Sequence, residues 1–403
     1  MRTEYRLEQQ GSSPPPRRRR RRLTTALVCA ACLVLAAAVG LGAGTLIRSL
    51  TGVRVVERSG PATTGRETPG YVLAEDLTGL SRQLDATEIY QLLSPSCVGV
   101  TTPLTTTNAF GQVSGSAITG SGFLVSADGY IITNYHVVQT AYDSGLTVEV
   151  MLYGGEKYPA VILGGDEEND VALLKIEGTG LQPAVMGSFE STQVGETVYA
   201  IGNPLGELTY TMTSGIVSAL DRSINTETNL AISMFQIDAA INSGNSGGPV
   251  VNDRGQVIGI ASAKFASSGV EGLGFAIPID DALKVADDLA EYGFVRGRVA
   301  LGITVTSAAY YGYDHDGALV LAVSPGGSGQ RAGLQEGDII IAVNGAAIPD
   351  SPTLIAAKKA WKPGDTLALT VLRENQTLEV SLTLEEKLPD TEKRWQPFAF
   401  GER

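Results

Sequence analysis

A chain of 403 residues has room for two or three domains, and 43% hydrophobic with 18% charged residues is a folded composition, which excludes a disordered chain. The net charge of −13 is unevenly spread: the first 48 residues carry nine Arg and two Glu, so the rest is strongly acidic. Such a body repels nucleic acid and anionic lipid.

Residues 1–22 are polar, include Pro14, Pro15 and Pro16, and end in six arginines, Arg17 to Arg22. The next 25 residues, 23–47, carry no charge and are long enough as a helix to cross a hydrocarbon core of about 30 Å. Arginines just before such a run stay on the cytoplasmic side, so the C-terminal bulk is expected outside. Nucleic-acid binding by the arginine run is the competing reading, disfavoured because the apolar run follows directly. A cleaved signal peptide is the other alternative. The length of the run, and the lack of a small-x-small exit site before a polar stretch, favour a retained anchor. Cys29 and Cys32 form a C-x-x-C inside this run and read as small apolar membrane residues, not as a redox or metal pair. Cys97 stands alone and is expected inside a strand. Residues 48–85, rich in Gly, Thr, Arg and Pro without a period, read as a flexible linker with a reach of roughly 35 Å.

From residue 86 short β-branched runs alternate with turns, which predicts a mainly β fold. Residues 122–125 and 130–133 flank Ala127-Asp128-Gly129 as a hairpin, and 148–153 with 158–163 form a second around Gly154-Gly155. Further strands are predicted at 171–176, 197–201, 215–220, 256–263 and 274–277. A helix over 280–292, with Ala282, Leu283, Val285, Ala286 and Leu289 on one face, closes a domain spanning 86–297. A smaller domain follows at 298–388. It has strands at 299–305, 318–323 and 337–341, a short helix through 330–332, a helix at 352–359 and a hairpin of 366–372 with 377–384. Residues 389–403 read as a tail.

The chemistry centres on Asn242-Ser243-Gly244-Asn245-Ser246-Gly247-Gly248-Pro249. A serine that attacks a carbonyl needs a sharp turn exposing its hydroxyl, with nearby backbone N–H groups aimed at the developing oxyanion. Glycines at 244, 247 and 248 permit such a turn, and the N–H groups of Gly244 and Ser246 are placed to face one point. The serine needs a base, and the chain has two histidines. His136 follows a strand in Thr133-Asn134-Tyr135-His136-Val137-Val138, whereas His315 lies in a polar loop, Asp314-His315-Asp316. Asp170 stands where a polar turn enters the apolar strand Val171-Ala172-Leu173-Leu174, so it can be carried inward to orient the imidazole; Asp166, Glu167 and Glu168 read as ordinary loop acids. The order His136, Asp170, Ser246 is the chymotrypsin order.

With these motifs the chain resembles the HtrA (Do-like) family of serine proteases, membrane-anchored DegS-like members included. The likeness rests on Gly120-Ser121-Gly122-Phe123, the segment around His136, Asp170 to Lys175, Ala200-Ile201-Gly202-Asn203-Pro204, Gly215-Ile216-Val217-Ser218, and Asp238 to Pro249. Tyr135 departs from the Asn or small residue common there. The resemblance implies a chymotrypsin-like double β-barrel protease domain followed by one PDZ domain. It implies Ser246 as nucleophile, His136 as base and then acid, and Asp170 as its orienter, with the amides of Gly244, Asn245 and Ser246 as oxyanion hole. Ile241 and Phe265 would line the primary specificity pocket. Position 240, where trypsin-like enzymes selective for Lys or Arg carry an acid, is Ala240, so cleavage after small or medium aliphatic residues is expected. Leu301, Gly302 and Ile303, preceded by Ala300 where the family often has an aromatic residue, would hold the carboxylate of a C-terminal peptide added as a β-strand. Gly272-Leu273-Gly274-Phe275 spells a similar loop but precedes the closing helix. No metal or cofactor is expected. The implied partners are unfolded or exported proteins, C-terminal peptides, the membrane through residues 23–47, and two further copies in a homotrimer, with no nucleic acid. The implied place is the outer side of the cytoplasmic membrane. An inert-protease chaperone or adaptor and a dedicated protease for one membrane signalling protein are the rival readings.

Overall fold

The computed structural model of the chain describes residues 68–74, 82–107, 113–203, 210–225, 231–242, 244–263 and 272–388. The expected membrane helix at 23–47, the basic segment before it, the tail at 389–403 and Phe265 lie outside these residues. Among the described residues no helix is long and apolar enough to cross a membrane.

Within the stretch read as a linker, Val72–Leu73 forms strand β1. Helix α1, Ala86–Leu93, follows with a capping box: the Asp85 carboxylate accepts from the Glu88 amide and the Glu88 carboxylate from the Asp85 amide. Six strands then close a barrel: β2 (Cys97–Thr107), β3 (Val113–Leu124), β4 (Tyr130–Thr133), β5 (Val148–Met151), β6 (Lys157–Asp166) and β7 (Val171–Lys175), paired in the order β2-β3-β4-β7-β6-β5. In β6 every second residue from Ala160 to Asp166 is buried, the period of two of a strand with one face on a core. Val98, Val100, Ile131, Val150 and Leu174 fill the interior. Cys97 opens β2 with no exposed surface, and burial pushes its thiol pKa well up. Helix α2, Tyr135–Ser144, interrupts the barrel strands and buries Val137, Val138 and Ala141.

The second barrel uses β9 (Thr197–Gly202), β10 (Thr211–Asn225), β11 (Ala231–Ile237), β12 (Pro249–Asn252), β13 (Gln256–Ser262) and β14 (Gly274–Pro278). β14 pairs with both β11 and β13, closing the ring, and β8 (Val185–Met186) with β1 extends it in parallel from the start of β13. The sequence Gly272-Leu273-Gly274-Phe275 therefore leads into a barrel strand and is no ligand loop. Helix α3, Ile279–Tyr292, buries Ala282, Val285, Ala286 and Leu289, the face its spacing predicts, and ends on Gly293 at φ +81°.

The C-terminal unit pairs β15 (Val299–Ala300) with β22 (Glu385–Glu386) beside a sheet of β16 (Ile303–Ser307), β17 (Ala318–Val323), β18 (Ile339–Val343), β20 (Thr366–Arg373) and β21 (Gln376–Thr383), with β19 (Ala346–Ala347) on β18. Helix α4 is Ser328–Arg331, and α5, Ser351–Lys358, packs on β16 and β17. β16 lies at one end of the sheet order. Its own core holds Val299, Val320, Ile340, Leu354, Leu369 and Leu382.

Candidate active site

The first barrel delivers two of the three predicted side chains. His136 stands on the first turn of α2, right after β4, and Asp170 at the entrance to β7. Since β4 and β7 are hydrogen-bonded neighbours, with Thr133 opposite Ala172, the two meet at one end of the barrel. Asp170 takes the left-handed conformation at φ +54°, which an aspartate tolerates better than most residues, and is 1% exposed. His136 Nδ1 lies 2.8 Å from Asp170 Oδ2 and 3.0 Å from Oδ1, and the His136 backbone N–H donates to Oδ1 at 3.0 Å. A carboxylate that only accepts requires the proton on Nδ1, which leaves Nε2 as a hydrogen-bond acceptor.

The second barrel supplies the serine, in the turn between β11 and β12. Ser246 Oγ lies 2.9 Å from His136 Nε2 and is 2% exposed. The turn is held under β3, where the Ser121 N–H donates to the Ser246 carbonyl at 2.8 Å. Gly247 adopts φ +85°, and a Cβ there would sit 2.2 Å from the Ser121 carbonyl oxygen and 2.5 Å from Thr133 Oγ1. Only glycine lets the two barrels approach this closely.

One expectation about the oxyanion donors needs correction. The Asn245 N–H donates to the Asn242 carbonyl at 3.1 Å, while its side chain accepts from the Asn242 N–H at 2.9 Å and donates to the Ala240 carbonyl at 3.0 Å. Asn245 therefore staples the turn and has no amide to spare for a substrate. The same peptide plane is held from its other side, since Ser121 Oγ donates to the Gly244 carbonyl at 2.7 Å. Gly244 and Ser246 remain as candidate donors.

Several contributors escaped the sequence reading. Ser262, at the end of β13, donates to Asp170 Oδ2 at 3.2 Å and is fully buried. Asn134, quoted only as part of the His136 motif, reaches both Ser246 and Asp170. Asp166 and Glu168 are no ordinary loop acids: they are 8% and 7% exposed, and Arg298, at the start of the C-terminal unit, bonds them at 2.9 Å and 2.5 Å. Lys358 of α5 reaches Glu168 at 2.9 Å. Burial holds the Asp166 carboxyl above its usual range despite Arg298. Burial acts on Glu168 in the same sense, but Lys358 and Arg298 outweigh it and hold that carboxyl below its usual range.

Of the other predicted residues, Ile241 is half-buried against the core of the second barrel, where a Cβ on Gly274 would meet its Cγ1 at 2.8 Å. Phe265 lies outside the described residues. Leu301 is buried, Gly302 turns at φ +66°, and Ile303 opens β16, whose pairing with β17 leaves a strand at the sheet end beside α5. His315 is exposed, far along the chain in the C-terminal unit.

Two closed six-stranded barrels, one presenting His136 and Asp170 and the other Ser246, define the chymotrypsin class of serine peptidase. Residues 120–260 match the trypsin-like peptidase domain family and residues 299–384 the PDZ domain family. A probable periplasmic serine endoprotease described as DegP-like, from Halomonas elongata, is 40% identical over 280 residues, covering 68% of this chain and 57% of that protein. Its counterpart in Chlamydia trachomatis is 40% identical over 279 residues, 66% of this chain and 54% of that one, so the match spans just over half the length of these relatives. Among solved structures, the HtrA-type protease AlgW with decapeptide is 30% identical with a TM-score of 0.54, covering 76% of this chain and 100% of that one. A serine endoprotease from Yersinia pestis is 32% identical with a TM-score of 0.52, at 76% and 100% coverage. The chain belongs to the HtrA-type protease family.

Proposed function

We propose that the chain is an ATP-independent serine endopeptidase of the cell envelope that hydrolyses misfolded or exported proteins through an acyl-enzyme. The observation that carries this reading is the continuous hydrogen-bonded relay Asp170, His136, Ser246, at 2.8 Å and 2.9 Å. Ser246 Oγ attacks the scissile carbonyl as His136 Nε2 takes its proton. Asp170 keeps the imidazole in the required tautomer and stabilises the imidazolium that forms. The N–H groups of Gly244 and Ser246 receive the oxyanion, each contributing about 3–4 kcal/mol to the transition state. The imidazolium then protonates the leaving amine, and a water activated by the same nitrogen releases the acyl group.

The relay assembled in this structure disfavours an inert binding protein of the same fold. Mixing Ser246→Ala protein with unfolded casein tests the assignment: the variant should fold and leave the casein intact, and digestion at the wild-type rate would refute it. Wild-type labelling by a fluorophosphonate, absent in the variant, is the companion result.

The remaining parts of the reading rest on the family and on position in the chain. Residues 23–47 anchor the protein with its C-terminal bulk outside, three copies associate through their protease domains, and Ile241 with Phe265 line a pocket for small or medium aliphatic side chains. The loop Leu301-Gly302-Ile303 takes the carboxylate of a C-terminal peptide laid along the open side of β16, and that binding regulates cleavage. Light scattering that returned a monomer would remove the trimer from this reading.

A further inference from the structure

Asn134 is fully buried, on the residue before α2, yet as a helix N-cap its side chain makes no capping bond. Its amide is spent elsewhere. Nδ2 donates to the Asp170 backbone carbonyl at 2.9 Å, and Oδ1 accepts from Ser246 Oγ at 3.0 Å. The first bond fixes which way the amide is turned, because only a donor can face the Asp170 carbonyl; the acceptor oxygen is thereby aimed at the serine. Ser246 Oγ also accepts from the Ala263 N–H at 3.2 Å, so the hydroxyl sits among three neighbours and has one hydrogen to share between His136 Nε2 and Asn134 Oδ1.

From this geometry we propose that Asn134 is a positioning residue for the Ser246 hydroxyl, a tie between nucleophile and orienting aspartate that does not pass through the imidazole. Asn134 and Asp170 belong to the first barrel and Ser246 to the second, so the side chain spans the crevice where the barrels must hold register. Its donor end steadies the carbonyl of a residue in left-handed conformation, and its acceptor end keeps Oγ within reach of Nε2. Asn134 is wholly enclosed and does not meet substrate, so it acts on the chemical step and leaves binding alone.

This inference rests on Ser246 being the nucleophile, and the test separates the two. The full chain and its Ser246→Ala, Asn134→Ala and Asn134→Asp variants are compared by fluorophosphonate labelling rate against pH and by kcat and KM on a peptide ester, with folding followed by thermal denaturation. Failure of the wild type to label would overturn the nucleophile assignment itself. With wild type labelling, Asn134→Ala is expected to label about three- to tenfold more slowly, the worth of one neutral hydrogen bond, with kcat reduced and KM unchanged. Asn134→Asp keeps the shape but puts a negative charge beside the Ser246 and His136 pair. Among the described residues the ionisable group bonded to that imidazole is Asp170, while Ser246, Ser262 and Ala263 supply the neutral contacts around the relay. A second carboxylate there should move the acid limb of the profile to higher pH by about one unit or more. That shift reports only how close position 134 lies to the relay; a purely structural Asn134 would lower the melting temperature of Asn134→Ala and leave the labelling rate and kcat of its folded form at wild-type values. An Asn134→Ala rate equal to or above wild type in the folded protein would overturn the proposal; if Asn134→Ala does not fold, Asn134→Ser, whose hydroxyl is too short to span from the Asp170 carbonyl to Ser246 Oγ, is judged by the same rate.

Discussion

Replacing Arg298 by methionine should loosen the loop that carries Asp170, although Arg298 lies 128 positions further along the chain. Its guanidinium is the shared cation of two carboxylates, Asp166 at 2.9 Å and Glu168 at 2.5 Å, each under a tenth exposed. Removing one partner of a buried ion pair costs about 3–5 kcal/mol. Lys358 still serves Glu168, and Asn169 still donates to Asp166 at 2.7 Å, so the lower end applies, about 3 kcal/mol, or roughly a 100-fold change in an opening equilibrium. Amide hydrogen exchange over residues 166–171 and 298–301 reads this locally, without assuming that a protein of several cores unfolds in one step. The pH dependence has a defined sign. Asp166 has a raised carboxyl pKa in the native state, so its ionisation opposes folding, and that penalty fades as pH falls through its native pKa toward the unfolded value near 3.9. Glu168 is lowered, so its contribution is present above the unfolded value near 4.3 and disappears as pH falls through its native pKa. The Arg298→Met defect should therefore be greatest at neutral pH and shrink on acidification, and Asp166→Asn in the same chain should recover part of it. Protection within threefold of wild type at pH 7.5, or a loss that stays equally large below pH 4, would refute the reasoning.

Two further outcomes follow from the proposed function. Digestion of a peptide library should favour Val, Ala and similar side chains before the cut bond, because Ala240 and Ile241 offer no charge to a cation; preference for Lys or Arg would refute the pocket assignment. Removal of residues 299–387 should abolish any response of cleavage to hydrophobic C-terminal peptides. Stimulation persisting in the truncated chain would place the sensor elsewhere.

Much of the fold was legible because barrel strands carry a strong local signal. Alternation in β6 and the Gly-marked hairpins locate β4 to β7, β9, β13 and β14 to within a few residues, whereas β11 and β12 are not read as strands, β2 is read only at Cys97, and β3 only at its end, residues 122–125. Two helices were not read. α1 announces itself through Asp85 and Glu88, three apart, but its eight residues are too few for a periodicity that stands out from the strands around it. α2 was obscured by Val137 and Val138, which look like the continuation of a strand and in fact face the barrel core from a helix. Within the site, the Gly-framed Ser246 and a choice of two histidines made the relay readable. Ser262, Asn134 and Arg298 act across 92, 112 and 130 positions or so, contacts that a linear pattern does not encode. Asn245 was misjudged for a different reason: whether an amide is free depends on which carbonyl the turn brings to it, here that of Asn242.

The thiol of Cys97 carries a practical consequence. Sealed at the head of β2 in the core it shares with Phe123, Met186, Tyr199 and Ile201, with its ionised form strongly disfavoured, it offers a modifying reagent almost no nucleophile while the two barrels stay packed on each other. Mapping alkylation at that one position by mass spectrometry would time the loosening of this shared core in the unaltered chain, with no dye or engineered label needed.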